Sequence, residues 1–255
     1  MTHTTKRLAF ITGATSGIGL ATAKLFAENG INLILCGRRE NLLQSIKEEL
    51  QKLVEVHTLC FDVRDRKAVS DAINSLPENL KSPDILVNSA GNAHGMSSIQ
   101  NGNLDDWDAM IDSNVKGLLY VSHAIMPSMV ARNAGHIINI GSLAAKEVYP
   151  NGNVYCASKS AVDSLTQGMR QDLNPHGIKV TAIHPGMVET EFSLVRFKGD
   201  AERAKNVYKG LTPLYAQDIA DTILYVVTRP PHVVLTDIVM MPVAQGSTTL
   251  AKRSL

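Results

Sequence analysis

The stretch Leu8-Ala9-Phe10-Ile11-Thr12-Gly13-Ala14-Thr15-Ser16-Gly17-Ile18-Gly19 decides the fold. Leu8 to Ile11 are apolar at odd and even positions alike, the pattern of a strand covered on both faces. From Ile18 to Glu28, Ala21, Leu25 and Phe26 fall on one helical face. The glycines at 13, 17 and 19 let the backbone between them turn sharply and approach a ligand closely. A strand entering a helix through such a turn aims the helix's first N–H groups at a phosphate. The spacing is GxxxGxG, not the commoner GxGxxG. Thr12, Gly13, Thr15, Ser16, Gly17, Ile18 and Gly19 are therefore the first candidate dinucleotide contacts.

Outward from this loop the same unit repeats. Strands are expected at 31–35, 54–61, 84–87, 136–140, 178–183 and 236–240, and helices at 40–52, 66–76, 154–173 and 218–227. Residues 104–132 read as one long helical stretch, broken or kinked near Pro127. Alternating strand and helix with doubly covered strands means an α/β fold, a doubly wound parallel sheet in a single domain over residues 1–255. Residues 185–215, rich in Gly, Pro and charge, interrupt the pattern and read as an insertion, either a surface loop or a substrate lid.

The composition narrows the class. The chain has 255 residues, with 25 Lys+Arg against 24 Asp+Glu and 44% hydrophobic residues. That balance argues against disorder and against electrostatic nucleic-acid binding. Three cysteines without CxxC spacing suggest neither a disulfide framework nor a zinc site, and no metal is expected. No apolar run approaches the ~18 residues of a membrane span. The start, Met1 to Arg7 followed by Leu8 to Ile11, is too short in apolar residues for a signal peptide, so a cytoplasmic protein is expected.

After the second strand stands Cys36-Gly37-Arg38-Arg39, where a cofactor with a free ribose 2′-hydroxyl would call for an acid. Two guanidinium groups match a 2′-phosphate instead, so the expected cofactor is NADP(H). Further on come Asn114, Ser142, Tyr155 and Lys159. Ser142 follows the fifth strand, at the sheet end where such folds bind ligands. Tyr155 and Lys159 are four apart in a helix and share a face. A phenol with an ordinary pKa of ~10 is a poor base at neutral pH, and a nearby ammonium lowers it. Ser142 can donate a hydrogen bond to a carbonyl oxygen as charge develops there.

These residues resemble the short-chain dehydrogenase/reductase family. The resemblance rests on the glycine loop, Asn88-Ser89-Ala90-Gly91, Asn114, Ser142, Tyr155-Cys156-Ala157-Ser158-Lys159 and Pro185-Gly186. It implies a Rossmann-type domain with a seven-stranded parallel sheet and helices on both faces. It also implies Tyr155 as acid/base, Ser142 orienting the carbonyl, Lys159 on the nicotinamide ribose and Asn114 holding a relay water. Asp62 and Val63 would meet the adenine, and Asn88, Ala90 and Gly91 would line the cofactor cleft. Pro185, Gly186, Val188 and Thr190 would meet the nicotinamide. Ser89 departs from the family, which has a second Asn there, a change that bears on strand–helix stability.

The nearer resemblance is to NADP-dependent 3-hydroxy acid dehydrogenases acting on serine and allo-threonine, with sulfoacetaldehyde reductases in the same branch. Gly135 to Ser142, Val195 to Asp200 and Met240 to Val243 carry it. It implies a small substrate with an anionic head, and Arg196 could bind that head as a bidentate partner or could tie the insertion down. A homotetramer is expected from the family. A reductase of larger ketones, a non-catalytic NADPH-binding regulator and a purely structural module are the alternatives.

Overall fold

The computed structural model describes residues 6–254. Residues 1–5, on which part of the N-terminal reading rests, lie outside the described residues. The chain runs β1 (Leu8–Thr12), α1 (Gly17–Glu28), β2 (Asn32–Gly37), α2 (Glu40–Leu50), β3 (Val56–Cys60), α3 (Arg66–Asn74) and β4 (Ile85–Asn88). It continues with α4 (Leu104–Ile111), α5 (Leu118–Arg132), β5 (His136–Ile140), α6 (Asn153–Leu173) and β6 (Lys179–Pro185). The short elements β7 (Val188–Glu189), α7 (Phe192–Arg196), α8 (Ala201–Asn206) and β8 (Leu214–Tyr215) precede α9 (Ala216–Val227) and β9 (Asp237–Met240).

Seven strands form one parallel sheet in the order β3-β2-β1-β4-β5-β6-β9. This is the doubly wound Rossmann-type sheet the sequence led us to expect. Alternation along β1 sets its two faces. Ala9 and Ile11 pack with Phe26 of α1 and Ile223 of α9. Leu8 and Phe10 face the other way, with Val121 and Met129 of α5 and Val162 of α6. Each large apolar side chain buried this way contributes about 1.5–3 kcal/mol. The order reverses between β1 and β4, and there a crevice opens at the strands' C-terminal ends.

The structure refines two sequence expectations. Pro127 sits inside α5, which continues through it to Arg132. The irregularity of the long stretch lies earlier, where Asp112–Gly117 form a wide π-helical segment between α4 and α5. At its end a Cβ on Gly117 would stand 2.7 Å from a Val63 methyl, so the helix passes close to the β3 loop there. Such segments recur at functional sites, and this one carries Asn114. Residues 185–215 are not a plain loop. They hold α7 and α8, and β7 pairs in parallel with β8.

One buried group gives the fold a pH dependence. His136 on β5 is 4% exposed, with Nε2 2.9 Å from Thr181 Oγ1. The Thr181 hydroxyl donates to Leu235 O at 2.6 Å, so it accepts from His136 and fixes the proton on Nε2. Burial, with Lys179 and Arg7 nearby, pulls the imidazole down to about 3. The folded state holds the ring neutral, while the unfolded chain binds a proton below about 6.5. This stability is therefore present above pH about 6.5 and is lost progressively as pH falls toward 3. Thermal melts across that window should show His136→Gln losing less stability with acid than the parent protein. Parallel curves would show that His136 does not carry the acid sensitivity.

Candidate active site

The glycine loop is shaped for a phosphate. Gly13 adopts φ +65°, and a Cβ on it would come within 3.0 Å of Ala90. A Cβ at Gly19 would stand 2.4 Å from Gly13 O, so only glycine lets α1 start this close to the turn. Ser16 precedes α1 without making a side-chain cap, which leaves the helix's first N–H groups for an anion. The cleft above the loop measures about 300 Å³. Thr15, Ser16, Gly17 and Ile18 line it on one side, and Asp62, Val63, Ala90 and Gly91 on the other.

Thr12 and Asn88 do not line this cleft; they stand behind its wall. Thr12 Oγ1 accepts from Ser89 N at 3.1 Å and Ala90 N at 3.0 Å, tying the β4 loop to β1. Asn88 is buried and donates to Ser122 Oγ and Asn139 Oδ1, both at 2.9 Å. Both side chains set the cleft's shape rather than its lining.

At the far end of the cleft the two arginines differ. Arg39 donates to Thr15 Oγ1 at 3.0 and 3.2 Å and to Glu191 Oε2 at 3.1 Å. Arg38 has a loose partner, Asp62 at 3.6 Å, and its side chain is 64% exposed. Asp62 is already gripped by Arg64, at 2.7 Å for the closest pair. Its partial burial works against ionisation, but the hydrogen bonds and charge of Arg64, with Arg38 beyond, outweigh that and hold the carboxyl below its usual range. Arg38 therefore keeps a charge to spare.

The polar groups downstream meet at the other end of the same crevice. Ser142 Oγ accepts from Ala144 N at 3.1 Å, which caps the turn Leu143–Ala145, and its hydroxyl is directed to the Tyr155 phenol. Tyr155 and Lys159 lie one turn apart on the buried face of α6. Burial pushes the Tyr155 phenol up, helped by the neighbouring Tyr149; the Ser142 hydroxyl and the Arg196 guanidinium act against this. Lys159 donates to Ile140 O at 3.0 Å, and burial pulls its ammonium down to about 8.

Asn114 sits over the same place. A Cβ added to Gly91 would meet its Oδ1 at 3.0 Å and Lys159 Nζ at 3.5 Å. Its amide is largely committed: Oδ1 accepts from Asn92 N at 2.8 Å, and Nδ2 donates to Asn92 O and to Ser158 Oγ. A single Oδ1 lone pair is what the side chain has left for a water.

Above Tyr155 opens a second cavity of about 410 Å³, continuous with the first along Ile18, Gly91 and Thr190. Pro185, Gly186 and Val188 line its floor. The insertion supplies the opposite wall through Phe192, Arg196 and Tyr208. Lys159, Arg196 and Arg253 line this cavity, and no acidic residue does among the described residues. The Arg196 guanidinium carbon lies 5.4 Å from the Tyr155 ring centre and 5.6 Å from that of Tyr149.

The family model for short chain dehydrogenases matches residues 7–200. The chain belongs to the short-chain dehydrogenase family. It is 45% identical to sulfoacetaldehyde reductase 2 of Chromohalobacter salexigens, over 96% of this chain and 97% of that protein. It is also 45% identical to the NADP-dependent 3-hydroxy acid dehydrogenase YdfG of Salmonella typhi, over 94% of this chain and 96% of that protein. Among solved structures, a closed serine dehydrogenase complexed with NADP+ superposes with a TM-score of 0.91 at 41% identity, covering 97% of this chain and all of that one.

Some features of this short-chain dehydrogenase lay beyond the sequence reading. Tyr149, Phe192, Tyr208 and Arg253 all line the second cavity. Tyr149, six residues before Tyr155, carried the only usable signal, as an aromatic ahead of the catalytic helix. His184 on β6 joins Asp163 and Asp237 in a cluster that could hold a metal ion. The Lys146 ammonium already sits on both carboxylates, at 2.9 and 2.7 Å, so the cluster has its cation. Among the described residues no helix is long and apolar enough to cross a membrane.

Proposed function

We propose that this chain is an NADP(H)-dependent oxidoreductase that interconverts a small 3-hydroxy acid and the corresponding carbonyl compound. The observation that carries the reading is the second cavity: three basic residues and no acid line it, and one guanidinium stands over Tyr155. The cofactor assignment is supported by the spare charge of Arg38 beside Arg39, by the uncapped start of α1 and by the NADP-dependent relatives. When bound, the nicotinamide donates or accepts the hydride.

The chain's own residues do the rest. Gly13 to Gly19 and α1 hold the pyrophosphate, Arg38 and Arg39 the 2′-phosphate, and Lys159 the nicotinamide ribose. Pro185, Gly186, Val188 and Thr190 frame the nicotinamide, and Asp62 and Val63 the adenine. Ser142 donates its proton to the substrate oxygen as negative charge develops there. In reduction Tyr155 gives that oxygen its proton; in oxidation the phenolate removes it. Asn114 Oδ1 holds the water through which Lys159 resupplies the proton. Arg196 takes the anionic head, a carboxylate or a sulfonate, in a bidentate pair.

Residues 185–215 act as the lid, since α7 brings Arg196 and Phe192 over Tyr155. A homotetramer fits the exposed apolar residues Leu104 and Leu119 on α4 and α5, and Val239, Met241 and Val243 at the β9 edge. A cytoplasmic setting suits three unpaired cysteines.

The test is NADP⁺ reduction with 3-hydroxypropionate beside its methyl ester at mildly alkaline pH. The acid should exceed the ester in kcat/KM by about a hundredfold, the worth of one desolvated charge-assisted pair. Equal values, or preference for the ester, would remove the acid-recognising reading and favour a larger neutral ketone.

A further inference from the structure

We infer that Arg196 couples the charge of the substrate to the acid–base group, stabilising the Tyr155 phenolate while it is unpaired and releasing that hold when an anionic head takes it. The inference rests on the reading above, in which Tyr155 is the acid/base and Arg196 the head-group cation.

The geometry makes Arg196 the cation that addresses this phenol. Its guanidinium stands between the rings of Tyr155 and Tyr149, 5.4 and 5.6 Å from their centres. It is held there by the Gly95 backbone: Gly95 N donates to Arg196 O at 3.0 Å, and Arg196 Nε donates to Gly95 O at 3.3 Å. No carboxylate pairs with it among the described residues. Asp106, which lines the small cavity behind it, is taken by Lys198 at 2.9 Å. Lys159, one turn along α6, directs its ammonium to Ile140 O.

Three other polar groups surround the phenol. They are the Ser142 hydroxyl on the turn after β5, the Tyr149 phenol before α6 and the buried Cys156 thiol on α6 itself. Tyr208, near Arg196, is bonded to Ser193 and to Val188 O. An unpaired cation this close favours the phenolate, and a carboxylate or sulfonate bound to it cancels that field.

The consequence is read from pH profiles of alcohol oxidation. The acid limb of kcat/KM reports the enzyme before substrate binds, and that of kcat the enzyme with substrate bound. For 3-hydroxypropionate the kcat limb should lie about one pH unit above the kcat/KM limb. For the methyl ester, which leaves the guanidinium unpaired, the two limbs should coincide. In Arg196→Met the ester's kcat/KM limb should rise by about one unit, and Arg196→Lys should restore part of the shift. A bound anion also acts on Lys159, which lines the same cavity, so the ester profiles, in which no anion binds, are the ones that isolate Arg196.

Coincident limbs for the acid, or an unmoved ester limb in Arg196→Met, would overturn the inference. Tyr155→Phe distinguishes its failure from that of the underlying reading. If that variant is inactive and the limbs still do not separate, the coupling alone is wrong. If it turns over, Tyr155 is not the acid/base and the whole assignment falls.

Discussion

Tyr155→Phe should lower kcat by about a thousandfold or more while leaving NADPH affinity unchanged. Positioned proton transfer contributes roughly 10²–10⁴ in rate, and the proposed function assigns it to the phenol. The substitution removes one oxygen and little else. A Phe ring keeps the tilted contact with Phe192, 5.7 Å between centroids, and still offers a face to Arg196. Lys159 keeps its bond to Ile140 O, so the ribose end of the cleft is untouched. NADPH fluorescence titration and steady-state NADPH consumption on the same preparation separate the two effects. Retained turnover with intact binding would mean that another group moves the proton. Lost binding would mean that the phenol's role is structural.

The sheet was legible because its strands are apolar on both faces and its helices on one. Leu8 to Ile11 and His136 to Ile140 could be placed from residue type alone, while their register against β4 is a finding of the structure. The groups we propose as catalytic were legible because Ser142 stands where a strand ends, and because Tyr155 and Lys159 share a helical face. Local signals failed where a contact between distant segments decides the outcome. The wide segment at Asp112–Gly117 lies where Gly117 passes close to Val63, more than fifty residues away, while Pro127, the obvious local breaker, stays within its helix.

The same reason hid the committed amide of Asn114, whose partners lie on the β4 loop and α6. It also hid the ring of Lys146, Asp163, His184 and Asp237, drawn from four separate elements. Thr12 and Asn88 show the converse case. Both stand at ligand-facing strand ends in sequence, yet their side chains point into hydrogen bonds that build the wall.

Arg38→Asp should raise the KM for NADPH by about a hundredfold and improve NADH, reversing the cofactor preference. Arg39 is already spread over Thr15 and Glu191, so part of its hydrogen-bonding capacity is spent within the protein. Arg38 has only the 3.6 Å contact with Asp62, and Asp62 is satisfied by Arg64 without it. A bound 2′-phosphate would therefore draw chiefly on Arg38. Charge reversal replaces an attractive pair with a repulsive one beside an existing carboxylate, Asp62. A loss of roughly 2–3 kcal/mol at this exposed edge corresponds to the stated factor. With NADH the sign changes: an acid at 38 can accept from the ribose 2′-hydroxyl, which a guanidinium cannot. Because the site is screened by salt, the NADPH defect should shrink as ionic strength rises. KM values for both cofactors at two salt concentrations decide the matter. Unchanged NADPH kinetics would place the 2′-phosphate elsewhere than on Arg38, and an equal loss for NADH would point to a distorted loop instead of a lost charge.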